Sequence, residues 1–242
     1  MKSLKIYDQQ HQWFILARED VKGKSLIETN QYMVRNGERT LIIDPGGVEL
    51  FAPMLSSVLQ NVPIDQVTDL FASHQDPDVI SSLNLWDQVL TNAKLHAPSI
   101  WEGFIRHFGL NNVEYVSVKD DGGVVDLGGL QLQIIPAHYL HSSGNIHLYD
   151  KEAKILFSGD VGAALEEPAS PMYVDDFNEH ISKMEYFHKR WMPSNTAKSN
   201  WIERVSRLEI DILCPQHGRM FKGDDVKRFL DWFDQLPVGI AV

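Results

Sequence analysis

The segment His74-Gln75-Asp76-Pro77-Asp78 and, at long intervals after it, His141, Asp160 and His217 each stand in a short loop just behind an apolar run. That recurrence constrains the fold, because layered α/β architectures gather their chemistry on loops held by a rigid scaffold. Three imidazoles and three carboxylates converging from four loops could hold two metal ions close together, since a carboxylate can bridge two ions and a neutral imidazole cannot. The pattern therefore predicts a dinuclear metal site.

Periodicity places these candidates on the same kind of element each time. Alternating or β-branched runs at 13–16, 32–34, 41–43, 67–71, 132–135, 155–157 and 212–213 predict strands. Helical spacing lies between them, with Leu50, Met54, Leu55, Val58 and Leu59 on one face and Val79, Ile80, Leu83, Trp86 and Leu90 on another. Ile181, Met184, Phe187 and Trp191 repeat the pattern, followed by Trp201, Val205 and Leu208, then Val226, Phe229, Leu230 and Phe233. No repeat, low-complexity tract or linker divides the chain, so residues 1–242 are expected to form a single soluble domain. Two sheets packed face to face with helices outside would use this order of elements.

The formal net charge of −11 disfavours nucleic acid and anionic membranes as partners, since no Lys/Arg cluster offsets the acidic surface. No apolar run is long enough to cross a bilayer, and Met1-Lys2-Ser3-Leu4-Lys5 lacks the apolar core of a signal peptide. Cys214 is the single cysteine, which excludes an internal disulfide. A cytoplasmic location is the expectation.

Each candidate ligand also has a plainer reading. Asp76 before Pro77 suits a helix N-cap followed by a favoured first-turn proline, and Asp78 would sit near the positive end of that helix. The two readings are compatible, since a helix start fixes the loop from which His74, Asp76 and Asp78 would point at one centre. His141 competes with His138 in the segment Pro136-Ala137-His138-Tyr139-Leu140-His141, while Asp160 and Gly218 could serve turns. Asp44-Pro45-Gly46-Gly47 and Asp120-Asp121-Gly122-Gly123 read as tight turns between strands, for neither has the spacing of a phosphate loop. His147, His180 and His188 read as surface or helix residues, and the tryptophans and phenylalanines at helical spacing as core.

Taken together, Glu28-Thr29-Asn30-Gln31-Tyr32, Ile42-Ile43-Asp44-Pro45-Gly46, the His74 to Asp78 motif, Leu156-Phe157-Ser158-Gly159-Asp160 and Pro215-Gln216-His217-Gly218 resemble the metallo-β-lactamase superfamily, and within it the diiron branch of flavodiiron proteins. Hydrolytic zinc members carry His-x-His-x-Asp-His as the first motif, whereas here Asp76 takes the second histidine position and Val79 the last. The diiron branch usually has His-x-Glu-x-Asp, so Asp76 is one methylene shorter than that pattern. A carboxylate in place of an imidazole hardens the ligand set and favours iron or manganese over zinc.

The resemblance implies an α/β fold, the four-layer αβ/βα sandwich of the metallo-β-lactamase type. It implies that His74, Asp76 and His141 hold one metal, Asp78 and His217 the other, and that Asp160 bridges them. His141 is preferred over His138 because Leu140-His141 before a small polar turn looks like the third ligand loop of the family, leaving His138 behind the ligands. The cofactor expected is two Fe, ahead of manganese or zinc. Flavodiiron proteins continue into a flavodoxin-like domain, and none follows here, so the expected function is that of the standalone oxygen-binding diiron proteins of bacterial chemotaxis and signalling. Dioxygen is the expected partner, with a signalling protein or redox partner beside it, and a homo-oligomer is compatible. An oxygen or nitric oxide reductase with an external electron donor, and a metal-dependent hydrolase, are the alternatives.

Overall fold

The structure is a computed structural model and describes residues 3–16, 26–166 and 170–240. These fall into two compact units, one drawn from Met1–Val21 and Thr29–Leu132, the other from Lys22–Glu28 and Gln133–Val242.

In the first unit, β1 (Leu4–Asp8), β2 (Gln12–Leu16), β3 (Gln31–Asn36) and β4 (Arg39–Ile43) form an antiparallel run. Helix α1 (Phe51–Leu59) then crosses over to β5 (Val67–Phe71), and α2 (Pro77–Ile80) with α3 (Leu83–Val89) crosses to β6 (Lys94–Pro98). After α4 (Glu102–Ile105), β7 (Glu114–Val118) completes a seven-stranded sheet in sequential order, parallel from β4 onward. Helical crossovers are what parallel neighbours require. Phe14, Leu16, Met33, Ile42, Leu70 and Leu95 from the strands pack with Met54, Val58, Ile80, Leu83 and Trp86 from the helices into one buried cluster.

The helix expected over Val79 to Leu90 is split in two. Its apolar face is intact, with Val79, Ile80, Leu83, Trp86 and Leu90 all buried. The break falls at Ser82, whose backbone N–H donates to the Gly46 carbonyl (3.2 Å) while its hydroxyl reaches the Pro45 and Gly46 carbonyls at 2.8 Å. The turn after β4 thus competes for groups that a continuous helix would use. The second glycine turn is a turn as expected: it joins β7 to β8 (Gly123–Leu127), closed by the Gly122 N–H donating to the Lys119 carbonyl at 2.9 Å, with Gly122 at a φ of 90°.

The chain passes into the second unit within β9 (Leu130–Pro136) and continues through β10 (Ile146–Asp150), β11 (Ile155–Phe157), α5 (Phe177–Trp191), α6 (Asn195–Val205), β12 (Ile212–Cys214), β13 (Phe221–Lys222) and α7 (Asp224–Gln235). The second sheet has the order β13-β12-β11-β10-β9-β8. Asp176 starts α5 by accepting from the N–H groups of Asn178 and Glu179, and Ser194 starts α6 by accepting from Ala197. Leu156, Leu213 and Phe221 from the sheet pack with Met184, Phe187, Trp201, Phe229 and Phe233 from the helices.

His180 and His188 lie on α5 but are buried, not at the surface, and His147 is a buried residue of β10. All three are enclosed because their elements turn these positions inward, where hydrogen bonds offset the polarity of at least two of them. Trp201 Nε1–H donates to His147 Nδ1 at 3.0 Å, and His188 Nδ1–H donates to the Met184 carbonyl at 2.9 Å.

Two stability measurements follow. Asp87, 2% exposed, accepts from the backbone N–H groups of Asn111, Asn112 and Val113 at 2.8–3.0 Å and so ties α3 to the strand entry of β7. Asp87→Ala should lose about 2–3 kcal/mol in urea unfolding, because it strands these donors in a part-buried loop. Burial pushes the His180 and His188 imidazoles down from 6.5 to about 4. The unfolded chain then binds protons first as pH falls, so this contribution is complete above pH 6.5 and is lost between 6.5 and about 4. The urea midpoint of metal-free His188→Gln should fall less than that of the parent protein between pH 7 and about 4.5.

Candidate metal centre

The first unit carries one group of candidate ligands, behind β4 and β5, parallel neighbours paired at Ile43 and Phe71, so their following loops emerge at the same sheet edge. Asp44, directly after β4, stands at a φ of 50° and its N–H donates to the Phe71 carbonyl at 2.8 Å. Its carboxylate then accepts twice from Ser73, from the backbone N–H and from the hydroxyl, both at 2.8 Å. With its one proton committed to Asp44, the Ser73 hydroxyl accepts from His74 Nδ1–H at 2.8 Å. His74 is 1% exposed, and this relay fixes the tautomer that carries its lone pair on Nε2.

That Nε2 lies 3.7 Å from Asp76 Oδ2. Asp76 occupies the N-cap position of α2 with extended backbone, and Pro77 takes the first turn as its sequence suggests. The Asp76 side chain makes no capping bond, however; Oδ1 accepts from Gln75 Nε2 at 2.9 Å and Oδ2 faces His74. Capping therefore does not account for this acid. Asp78 is the second residue of α2 and is half-buried.

In the second unit, β11 and β12 are parallel neighbours paired at Phe157 and Cys214, and the loops carrying Asp160 and His217 leave them at one edge. The Gln216 N–H donates to the Gly159 carbonyl at 2.7 Å and ties the two loops together. Asp160, 2% exposed, directs its two oxygens at two different histidines: Oδ2 lies 2.5 Å from His141 Nε2 and Oδ1 lies 3.4 Å from His217 Nε2. His217 Nδ1–H donates to the Glu28 carbonyl at 2.7 Å, which again leaves Nε2 as the donor atom. In the loop after β9 it is His141 that stands against Asp160, while His138 is half-buried three residues earlier.

The roles of several residues that hold these loops are not evident from the sequence pattern. Gly218, at a φ of 79°, passes so close to Ala164 that an added Cβ would lie 2.7 Å from the alanine methyl. Glu166, with its side chain 1% exposed, pairs with Lys183 of α5 at 2.9 Å and with Arg219 at 3.1 Å, and Arg219 also pairs with Asp175. Gly162 N–H donates to His188 Nε2 at 2.9 Å. The Asp160 and His217 loops are thus fastened both to each other and to α5. Asp44 stands in a segment that reads as a turn, and its bond to Ser73 depends on which strand lies beside β4.

A carboxylate whose two oxygens face two imidazole nitrogens has the arrangement of a bridging ligand. Imidazole and carboxylate donors with their tautomers set from behind fit iron, manganese or zinc, and the excess of oxygen donors over a purely histidine set fits the harder ions. The chain's own groups therefore suit a metal pair.

The chain is similar to several known proteins. A family model described as ODP family beta lactamase matches residues 27–218. The solved peroxy diiron species of the chemotaxis sensor ODP is 34% identical with a TM-score of 0.88, covering 99% of this chain and 97% of that one; the apo state of chemotaxis sensor ODP from T. denticola has the same identity and TM-score. The flavodiiron protein from Giardia intestinalis shares the fold at a TM-score of 0.84 with 20% identity, over 96% of this chain and 60% of that one. Coenzyme F420H(2) oxidase from Methanocaldococcus jannaschii is 22% identical over 79% of this chain, which spans about half the length of the curated relatives that match most of it. The αβ/βα fold of the metallo-β-lactamase type is therefore the fold of this protein, and by the family model and the 34% identity the chain belongs to the ODP family.

Proposed function

We propose that this protein is a diiron protein that binds dioxygen and acts as an oxygen sensor, its bound state altering a surface that a signalling partner reads. The observation that carries the reading is Asp160, whose two oxygens face His141 Nε2 and His217 Nε2 in a member of the ODP family. In this reading His74, Asp76 and His141 hold one iron, Asp78 and His217 hold the other, and Asp160 bridges. When bound, the iron pair supplies open coordination positions and electrons for dioxygen.

The chain's own residues do the remaining work. Asp44 and Ser73 hold His74 Nδ1–H, and the Glu28 carbonyl holds His217 Nδ1–H, so that each imidazole offers Nε2 without a proton to lose first. Burial of His74, Asp160 and His217 keeps bulk water from these donors. Val79, buried in α2, stands where hydrolytic relatives place a further histidine, which lowers the number of ligands at the second ion and counts against a hydrolase.

Ser73→Ala and Asp44→Asn should each weaken iron binding by about 10–100-fold in a chelator competition, since both free the His74 ring to change tautomer. Asp160→Ala should lose one or both irons by metal analysis; retention of two would remove Asp160 from the site.

The function itself is tested by reducing the iron-loaded protein without air, admitting oxygen and following the visible spectrum. A new band that persists and then disappears on removal of oxygen is expected. Rapid irreversible oxidation with oxygen consumption in the presence of a donor would assign a reductase instead.

A further inference from the structure

We infer that Trp191 is a positioning residue for the metal ligands, acting with Phe187 as an aromatic wedge against His141 and His217. The inference rests on the reading that these two histidines bind metal. Phe187 and Trp191 are one helical turn apart on α5 and stack with ring centroids 5.7 Å apart and planes inclined at 14°. His141 stands edge-on to both, 5.5 Å from Trp191 at 75° and 6.4 Å from Phe187 at 89°. His217 lies 6.3 Å from the same Phe187 ring at 55°.

These contacts bear on the torsion that matters. An imidazole turns about its Cβ–Cγ bond in a broad well, so a ligand atom is aimed only when something bounds the ring's edges. Here both histidines turn Nε2 to Asp160 while their rings lie against the wedge. Edge-to-face contact gives this boundary a preferred angle, which an aliphatic side chain would not.

The wedge is itself fixed to the loops it aligns. Lys183 and His188, on the same helix, hold Glu166 and Gly162 of the loop that follows Asp160, and Glu166 in turn holds Arg219, two residues beyond His217. Trp191 is 49% exposed, whereas Phe187 is 5% exposed. A tryptophan that leaves half of its surface in water gains only part of the stabilisation that burial offers, so apolar packing gives little reason for a ring at this position. The contact with His141 gives one.

Cobalt(II) added to the metal-free protein tests this, because its visible bands report ligand geometry and it needs no oxygen chemistry. Trp191→Leu should bind one of two cobalt ions about tenfold more weakly and with altered bands, while Trp191→Phe restores the parent affinity and bands. The metal-free Trp191→Leu protein should keep its thermal midpoint within about 4 °C of the parent. Parent affinity and bands in Trp191→Leu would overturn the proposal. His141→Ala is the control for the underlying site: if that variant binds two cobalt ions like the parent, the ligand assignment fails whatever Trp191 does. Should Trp191→Leu not fold, fluorescence decides. Cobalt should quench emission in the parent more than in Trp191→Phe, and equal quenching would overturn the proposal.

Discussion

Asp160 is a carboxylate 2% exposed, held between two imidazole nitrogens, and much of the second unit is arranged around its position. A buried carboxylate is costly unless polar groups surround it, and those groups have to be delivered by backbone that does not move. The parallel pairing of β11 with β12 places the Asp160 and His217 loops at one edge, and the bond from Gln216 to Gly159 joins them. Gly218 allows the approach to Ala164 that this junction demands. The Glu166, Arg219, Lys183 and Asp175 group then anchors both loops to α5. In the first unit the same task falls to Asp44 and Ser73, where a parallel pair of strands again brings two loop starts side by side.

How much of this was legible in the sequence depended on whether a residue's role is local. Strands such as β4, over its last three residues, and β11 announce themselves, because burial on both faces makes them continuous apolar runs. Strands with a polar task inside do not. β6 carries His96, bonded to Asp69 of β5 at 2.8 Å, and β10 carries His147, which accepts from Trp201 Nε1–H at 3.0 Å. Their hydrophobic alternation is broken by side chains whose partners are distant in sequence. The break between α2 and α3 has the same cause, since Ser82 looks unremarkable until the carbonyls of Pro45 and Gly46 arrive beside it.

The site divides along the same line. Histidines and acids behind apolar runs could be singled out because the run and the ligand type are both local features. The residues that fix tautomers could not, since Asp44 finds Ser73 only through strand order and Glu28 meets His217 across nearly the whole length of the chain. His188 shows the converse error that a residue-by-residue reading invites: helical spacing places it correctly on α5, but its burial and its bond from Gly162 follow from packing. Sequence reasoning therefore reaches the candidate ligands before it reaches what aims them.

The acid at position 76 ties this architecture to chemistry. An imidazole brings no charge to a metal pair, whereas in the proposed site each of Asp76, Asp78 and Asp160 would bring one negative charge, and a buried cation pair is stabilised by the charge that surrounds it at short range. In the proposed site, Asp76 in place of a histidine would stabilise more highly charged, oxidised ions more than reduced ones, as a site that gives electrons to dioxygen would require. A hydrolytic site has the opposite need, since its metal keeps one charge and must leave the bound water acidic, and each added carboxylate works against that acidity. Val79 in place of a further histidine would leave a position open on the second ion without adding charge. In the proposed site the side chains at 76 and 79 would thus favour oxygen chemistry over hydrolysis.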